Sequence, residues 1–325
     1  TVGSINTSKT TRGWSFPDGT VLVKSFGLKL AVGHSGGGPA DGVAAERWVE
    51  TRLLHREQGE WVGYSYSWND AQTEAELVVR SGRDRVFEVV RDGGGVRKLA
   101  WHYPSRAECM VCHSRAAEYV LGLTTVQMNR DHVHGGVLVN QLSLLAELGL
   151  APIQSVEELR ARRRQALEDG TADDDRASRS ATDDKPELAQ GHMFSGRLLT
   201  RPFLVDPYSD DSSLELRVRS YLHANCAQCH VSAGGGNSQI ELNFSTPIAK
   251  AKLLGVKPVH DTFGLPDARL VVPAHPERSV LLKRLKMRGR GQMPQLATTL
   301  PDTRAVSLLR EWIQGLGAVE AESSK

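Results

Sequence analysis

The sequence predicts an α+β chain: an antiparallel β sandwich or small barrel first, then mainly α-helical segments. Three observations carry that expectation. Short alternating or aromatic-rich runs recur between residues 14 and 100. From Tyr103 the apolar spacing turns helical. A run dense in Asp, Ser, Arg and Thr, Asp169–Lys185, interrupts the helical part with almost nothing to bury. At a prior of about 150 residues per domain, 325 residues make roughly two domains. The expected division is a β-rich domain over 1–102, a region over 103–200 with a charged insertion over 157–190, and a final domain over 201–325.

Each element follows from its local pattern. Thr20–Phe26 alternates as a half-buried strand does, and Trp48–Leu54 alternates less cleanly. Trp61–Trp68 is aromatic-rich and closes on the turn pair Asn69-Asp70. Alternation predicts that most of Trp48, Trp61, Tyr64, Tyr66 and Trp68 point inward rather than forming a carbohydrate-binding platform. Further strands are expected at Ala75–Val79, Val86–Val90 and Val96–Trp101. The Gly-rich stretch Gly33–Gly42, with His34, reads as a hairpin loop, since no Lys-Ser/Thr follows to make a phosphate cradle. Helices are expected at Cys109–Leu121, Thr124–Arg130, Asn140–Leu148, Glu157–Glu168, Leu214–Asn225, Glu277–Met287 and Thr303–Gly315. Gly122 and Gly149 act as stops, and Asp302 caps the last helix after Pro301.

Composition excludes several functions. Lys plus Arg is 40 and Asp plus Glu is 38, a net charge of +2. That leaves no global field for gripping nucleic acid or an anionic membrane. No run approaches the ~18 apolar residues of a bilayer span. Thr1–Gly13 lacks the apolar region of a signal peptide, as expected where a signal has been removed or the chain is a segment of a longer one.

The four cysteines fall in two copies of one pattern, Cys109-Met110-Val111-Cys112-His113 and Cys226-Ala227-Gln228-Cys229-His230. Both read C-x-x-C-H, the attachment signature of c-type haem. Two thiols three residues apart on a helix reach the two vinyl groups of one haem, and the following His ligates the iron. Chance gives on the order of 0.002 copies in a chain of this composition. Two rival readings use the same thiols. One is a single tetrahedral zinc site. The pairs lie 117 residues apart, and zinc leaves the His after each pair unexplained. The other is a redox dithiol, for which no βαβ pattern is present.

The second half resembles a class I cytochrome c domain: a helix running into Cys226–His230, a long middle, a Met-Pro pair and a final helix with an aromatic. The wording is similar to bacterial periplasmic dihaem c-type cytochromes, some of which occur beside or fused to quinoprotein (PQQ-dependent) sugar dehydrogenases. The strings that carry it are Arg219–His230, Gly264–Leu270 and Gly291-Gln292-Met293-Pro294. In the first half they are Glu50–Leu54, Trp68–Thr73 and Tyr103–Cys109. The resemblance covers roughly residues 14 to 316, with the charged insertion unmatched. It implies two covalently held haem c groups, cytochrome c-like haem domains after the β domain, and electron transfer with a redox protein, a quinoprotein dehydrogenase being the implied donor.

The axial ligands set the chemistry. His113 and His230 are the proximal ligands of the motifs. Met293 is the sixth ligand expected at the second haem, 63 residues after His230 with Pro294 fixing the backbone behind it. Met287, in a basic helical stretch, suits packing better. The first haem stays open between several candidates. Met128, 15 residues after His113, leads; His132, His134, His192 and Met193 follow, as does an open distal site suited to peroxide chemistry. His223 and Trp312 read as packing residues, and His102 as a strand end. Arg106, Arg115 and Arg269 are candidates for pairing with haem propionates. Electron transfer is therefore the leading expectation, with a dihaem peroxidase-like oxidoreductase and a carbohydrate-binding β domain as alternatives. Covalent haem implies a bacterial periplasmic or extracellular setting.

Overall fold

A computed structural model describes residues 5–7, 11–31, 45–91, 94–150, 202–232, 234–296 and 298–322. The Gly33–Gly42 loop with His34, the Glu157–Glu168 helix, the Asp169–Lys185 run, His192 and Met193 lie outside the described residues.

Six strands form one antiparallel sheet: β1 (Val21–Leu30), β2 (Ala45–Glu57), β3 (Glu60–Trp68), β4 (Ala75–Leu77), β5 (Arg83–Val90) and β6 (Val96–Tyr103), in the order β4-β3-β2-β1-β5-β6. The sheet curls into a half-barrel and does not close, so β4 and β6 remain edges. The expected sandwich or barrel is corrected accordingly: there is one curled layer, packed partly on itself around Val49, Phe87, Leu99 and Tyr103 and partly against Trp14, Val120 and Leu142. A register shift opposite Phe26 and Gly27 inserts Val49 as an extra residue in β2. Such a bulge turns neighbouring side chains to the same side, and both Val49 and Glu50 are buried. On β3 the covered positions are Trp61, Gly63, Ser65 and Ser67, while Tyr64, Tyr66 and Trp68 are half-buried. Trp48 is exposed. Of the five aromatics, only Trp61 is fully inside; small residues line the rest of that face.

The mainly helical, cytochrome c-like domains expected after Tyr103 are also corrected. Helix makes up 25% of the chain among the described residues, and the protein is mostly antiparallel β. The first motif lies on α1 (Arg106–Cys112), which stops at its second cysteine instead of running to Leu121. Ser114 caps a separate 3-10 turn, Arg115–Ala117, and Glu118 and Tyr119 then adopt left-handed backbone at φ 57° and 63°. α2 (Thr125–Met128) is a single turn. Next comes a hairpin that the sequence reading missed, β7 (Asp131–His134) and β8 (Val137–Asn140). Its signal was Gly135-Gly136, both at positive φ, as a two-residue hairpin turn demands. α3 (Gln141–Glu147) follows.

The C-terminal part holds α4 (Leu214–Cys226), α5 (Val280–Lys286) and α6 (Thr303–Glu322). Between Cys226 and Val280 the described residues contain no α-helix, only the 3-10 turns Ile248–Lys250 and Pro276–Arg278. Pro247, Pro258, Pro266, Pro273 and Pro276 deny helix to that stretch. Its backbone closes instead through turns and the isolated bridges Leu254↔Val271 and Arg269↔Ser279. Around it Val218, Leu222, Leu285, Leu309, Trp312 and Ile313 form one apolar core. Asp302 caps α6 by accepting from the Ala305 N–H at 3.1 Å, and Tyr208 donates to its other oxygen.

The parts are stitched together. Leu204 N–H donates to Val126 O at 3.0 Å, and Asn243 Nδ2 donates to Thr11 Oγ1 at 3.0 Å.

Candidate haem-attachment cleft

Ser105 starts α1 with a capping box: its hydroxyl accepts from Glu108 N–H, and the Glu108 carboxylate accepts from Ser105 N–H at 2.8 Å. Such boxes satisfy two otherwise orphaned donors. The same carboxylate accepts from His102 Nε2 at 3.0 Å, and His102 Nδ1 donates to Asp84 at 2.6 Å. Burial lowers the His102 pKa, but the two carboxylates outweigh it and the net shift is upward. The end of β6 is thereby latched to the first turn of the helix that carries the motif.

That helix rests on β3 at Gly63. A Cβ there would lie 2.8 Å from both Cβ and Sγ of Cys109. The strand gives up a side chain so that the thiol can enter. Burial pushes the Cys109 and Cys112 thiols up. His113 Nδ1 donates to Tyr119 O at 2.6 Å. With Nδ1 carrying the proton, Nε2 keeps its lone pair, the tautomer a metal-ligating His requires. Burial pushes the ring's pKa down, keeping it neutral. The left-handed turn at Glu118–Tyr119 is what brings the acceptor carbonyl round.

The second motif closes α4. Cys226 O accepts from Cys229 N–H at 3.1 Å and from His230 N–H at 2.9 Å. Burial pushes the Cys226 thiol up to about 12. The loop after the motif lies directly on it: a Cβ at Gly234 would sit 2.2 Å from Cys229 O, and one at Gly236 would sit 2.7 Å from His230 Nδ1. Among the described residues His230 Nδ1 is buried without a hydrogen-bond partner, and the loop at Gly236 packs against its ring.

A cleft of about 720 Å³ opens at the first motif and reaches the edge of the second, whose Cys226, Cys229 and His230 do not line it, nor does Met293. Cys109, Cys112 and His113 line one wall; Ala227 and Gln228 of the second motif line another. Cys112 and Cys229 are close enough that charge on one raises the pKa of the other. β1 and β2 supply Leu22, Lys24, Phe26, Arg52 and Leu54. The residues of the first motif fit one haem on three counts: Nδ1 of His113 is engaged so that Nε2 keeps its lone pair, the strand is cut back to glycine beneath Cys109, and the volume lies within the roughly 300–1,000 Å³ of cofactor sites. All four cysteines are free thiols. Among the described residues no three His, Cys, Asp or Glu side chains converge to hold one metal ion.

The other candidates are placed as follows. Met293 N–H donates to Arg284 O at 3.1 Å, and Pro294, Leu296 and Thr298 of its loop line the cleft. Arg284 lies near enough to His230 to depress its pKa further, after burial. Met128 packs against the Trp14, Trp61 and Leu142 cluster, while Thr124 and Gln127 face the cleft instead. His132 and His134 sit on β7, their rings 6.1 Å apart, and do not line the cleft. Met287 lies near the Gly291–Phe263 contact. Arg106 stacks over Tyr64 at 4.6 Å, and Arg269 bonds to Ala268 O at 2.9 Å. His223 Nδ1 accepts from Phe244 N–H at 3.1 Å, and burial pushes its pKa down to about 4.

Sequence reasoning missed five participants: Gly63, Tyr119, Lys24, Arg52 and Gln292. A glycine inside an aromatic-rich strand is the one signal it passed over, since such a residue marks a close approach of other atoms. Gln292 organises the Met293 loop: its Oε1 accepts from Gly289 N–H at 2.8 Å, and its Nε2 donates to Pro294 O at 3.1 Å.

Compared with protein-family models, curated proteins and solved structures, the chain matches none of them. Among the described residues no helix is long and apolar enough to cross a membrane.

Proposed function

We propose that this chain is a dihaem c-type cytochrome that passes electrons, one at a time, between a redox protein and a second acceptor. The observation that supports the reading is the cleft at the first motif, with Cys109, Cys112 and His113 on its wall and Ala227 and Gln228 of the second motif beside it. Haems held by the two motifs would be neighbours, since Cys229 lies near enough to Cys112 to act on its thiol. When bound, haem supplies a one-electron iron couple and the protein tunes it.

The chain's own residues do the rest. Cys109 and Cys112 would hold one haem, and Cys226 and Cys229 the other. His113, set by Tyr119, and His230, packed against Gly236, would ligate the irons. Met293 would be a further ligand for the second haem, whose soft thioether would raise the potential. Leu22, Leu54 and the apolar cleft wall exclude water. The resemblance supplies the donor class, a quinoprotein dehydrogenase, and haem attachment implies a periplasmic or extracellular setting.

A second reading has one observation in its favour. Met128 packs into the Trp14 cluster rather than lining the cleft, where Gln127 and Thr124 stand instead, so Met128 would not be at hand to ligate a haem on the first motif. An open site there suits a peroxidase-like oxidoreductase. Visible and EPR spectra of the exported protein separate the two. Two low-spin six-coordinate haems support electron transfer; a high-spin ferric signal supports the oxidoreductase; no haem signal refutes both.

A further inference from the structure

Lys24 and Arg52 face each other across the β1–β2 ladder. Like charges directly opposite on an antiparallel pair destabilise a sheet. Both line the cleft, and both cover the same ring: Lys24 Nζ lies 5.0 Å and Arg52 Cζ 4.6 Å from the centre of Phe26. Arg52 is held in place by Glu50, which is fully buried and accepts from Nε at 2.7 Å and Nη2 at 2.8 Å. That grip leaves Nη1 for the cleft. Ser65 and the Trp101 indole donate to the same carboxylate, so Glu50 already accepts four hydrogen bonds, none of them from Lys24.

The remaining charges on the cleft wall are paired. Arg12 meets Glu118 at 3.8 Å, and Glu108 meets His102. Lys24 has no carboxylate partner among the described residues. Two cations kept opposite each other beside an apolar cleft are a site for carboxylates. They stand two positions along the sheet from Gly63, the seat of Cys109, since Leu54 pairs with Gly63 and Arg52 with Ser65. The charges on Arg52 and Lys24 both reach His113.

We propose that Lys24 and Arg52 form the carboxylate-binding end of the cleft and hold the propionates of the first haem. This rests on the cytochrome reading. Arg52, its fork already taken by Glu50, acts as a fixed donor through Nη1, and Lys24 acts as a flexible point charge at the rim. Because ferric haem is the more positive state, a nearby cation favours the ferrous form and raises the potential. The pair therefore positions the haem and sets its potential.

The test uses the full chain exported with its haems attached. Covalent haem is counted first, then the midpoints of wild type, Lys24→Gln, Lys24→Glu and Lys29→Gln are measured. Lys24 is exposed, so its variants are not expected to disturb folding. Lys29 is a second exposed lysine of β1 outside the cleft and serves as the control. We expect two haems in every variant. In Lys24→Gln one midpoint falls, on the order of tenfold in ferrous-to-ferric ratio or about 59 mV for one electron. It falls further in Lys24→Glu, and Lys29→Gln moves neither. Unchanged midpoints in both Lys24 variants, or an equal shift in Lys29→Gln, would overturn the proposal while leaving the cytochrome reading intact. Wild-type protein without covalent haem would overturn that reading, and this proposal with it.

Discussion

Gly63 is the seat of Cys109: a single Cβ at position 63 would stand 2.8 Å from the thiol sulfur. The backbone at Gly63 is not left-handed, so Ala is excluded by space alone. Gly63→Ala therefore costs about 1–3 kcal/mol, as overpacking does, and displaces α1 from the sheet. Haem attached at the first motif should fall while the second motif keeps its own. Haem per chain, read beside the thermal midpoint, checks this.

Glu50 carries four hydrogen bonds in a fully buried position. Glu50→Ala strands Arg52 beside Ser65 and Trp101, and breaking a buried pair from one side costs about 3–5 kcal/mol. Denaturant unfolding at unchanged slope is the measurement; a loss under about 1 kcal/mol, the worth of a surface ion pair, would show that the network is solvated.

The His102 latch gives stability a pH signature. His102 has its pKa raised above its ordinary 6.5, so the stability it adds is complete below about pH 6.5 and is lost as pH rises through the raised value. Glu108 has its pKa lowered from 4.5, so its share is present above that value and lost as pH falls through the lowered one. The latch is tightest between about pH 4.5 and about pH 6.5. His102→Gln should flatten the fall in thermal midpoint on going from about pH 6 to about pH 9. Both groups are partly exposed, so the effect is small.

Gln292 ties Gly289, Pro294 and Thr298 together around Met293. Gln292→Ala should weaken methionine ligation of the second haem without removing the haem, and Met293→Ala should abolish it. The ferric charge-transfer band of methionine-ligated haem, fading in the first and absent in the second, checks the order. A band unchanged in Met293→Ala would assign the ligand elsewhere.

Much of the β part was legible as strands, because Thr20–Phe26 and Trp61–Trp68 are rich in strand-forming residues; the covered face was not, since Val21 and Val23 are exposed and the buried face of β3 carries Gly63, Ser65 and Ser67. The two C-x-x-C-H motifs are visible in five consecutive residues each, without knowledge of the fold. The helical reading after Tyr103 failed for a physical reason. Apolar spacing around Cys109–Leu121 resembles a helix, but Ser114 offers a competing cap and Glu118–Tyr119 turn left-handed to serve His113. The sheet's curl was also illegible, since alternation separates two faces and does not say which is covered or by what. Lys24 and Arg52 are unremarkable in sequence, 28 residues apart; only strand register places them opposite each other.

The central claim is that each C-x-x-C-H motif holds one haem through both its thiols. Intact-mass spectrometry of the denatured, exported protein tests it most directly. The account predicts the chain mass plus two haems, with no thiol left to alkylate. Four alkylatable thiols and no added haem mass would contradict it.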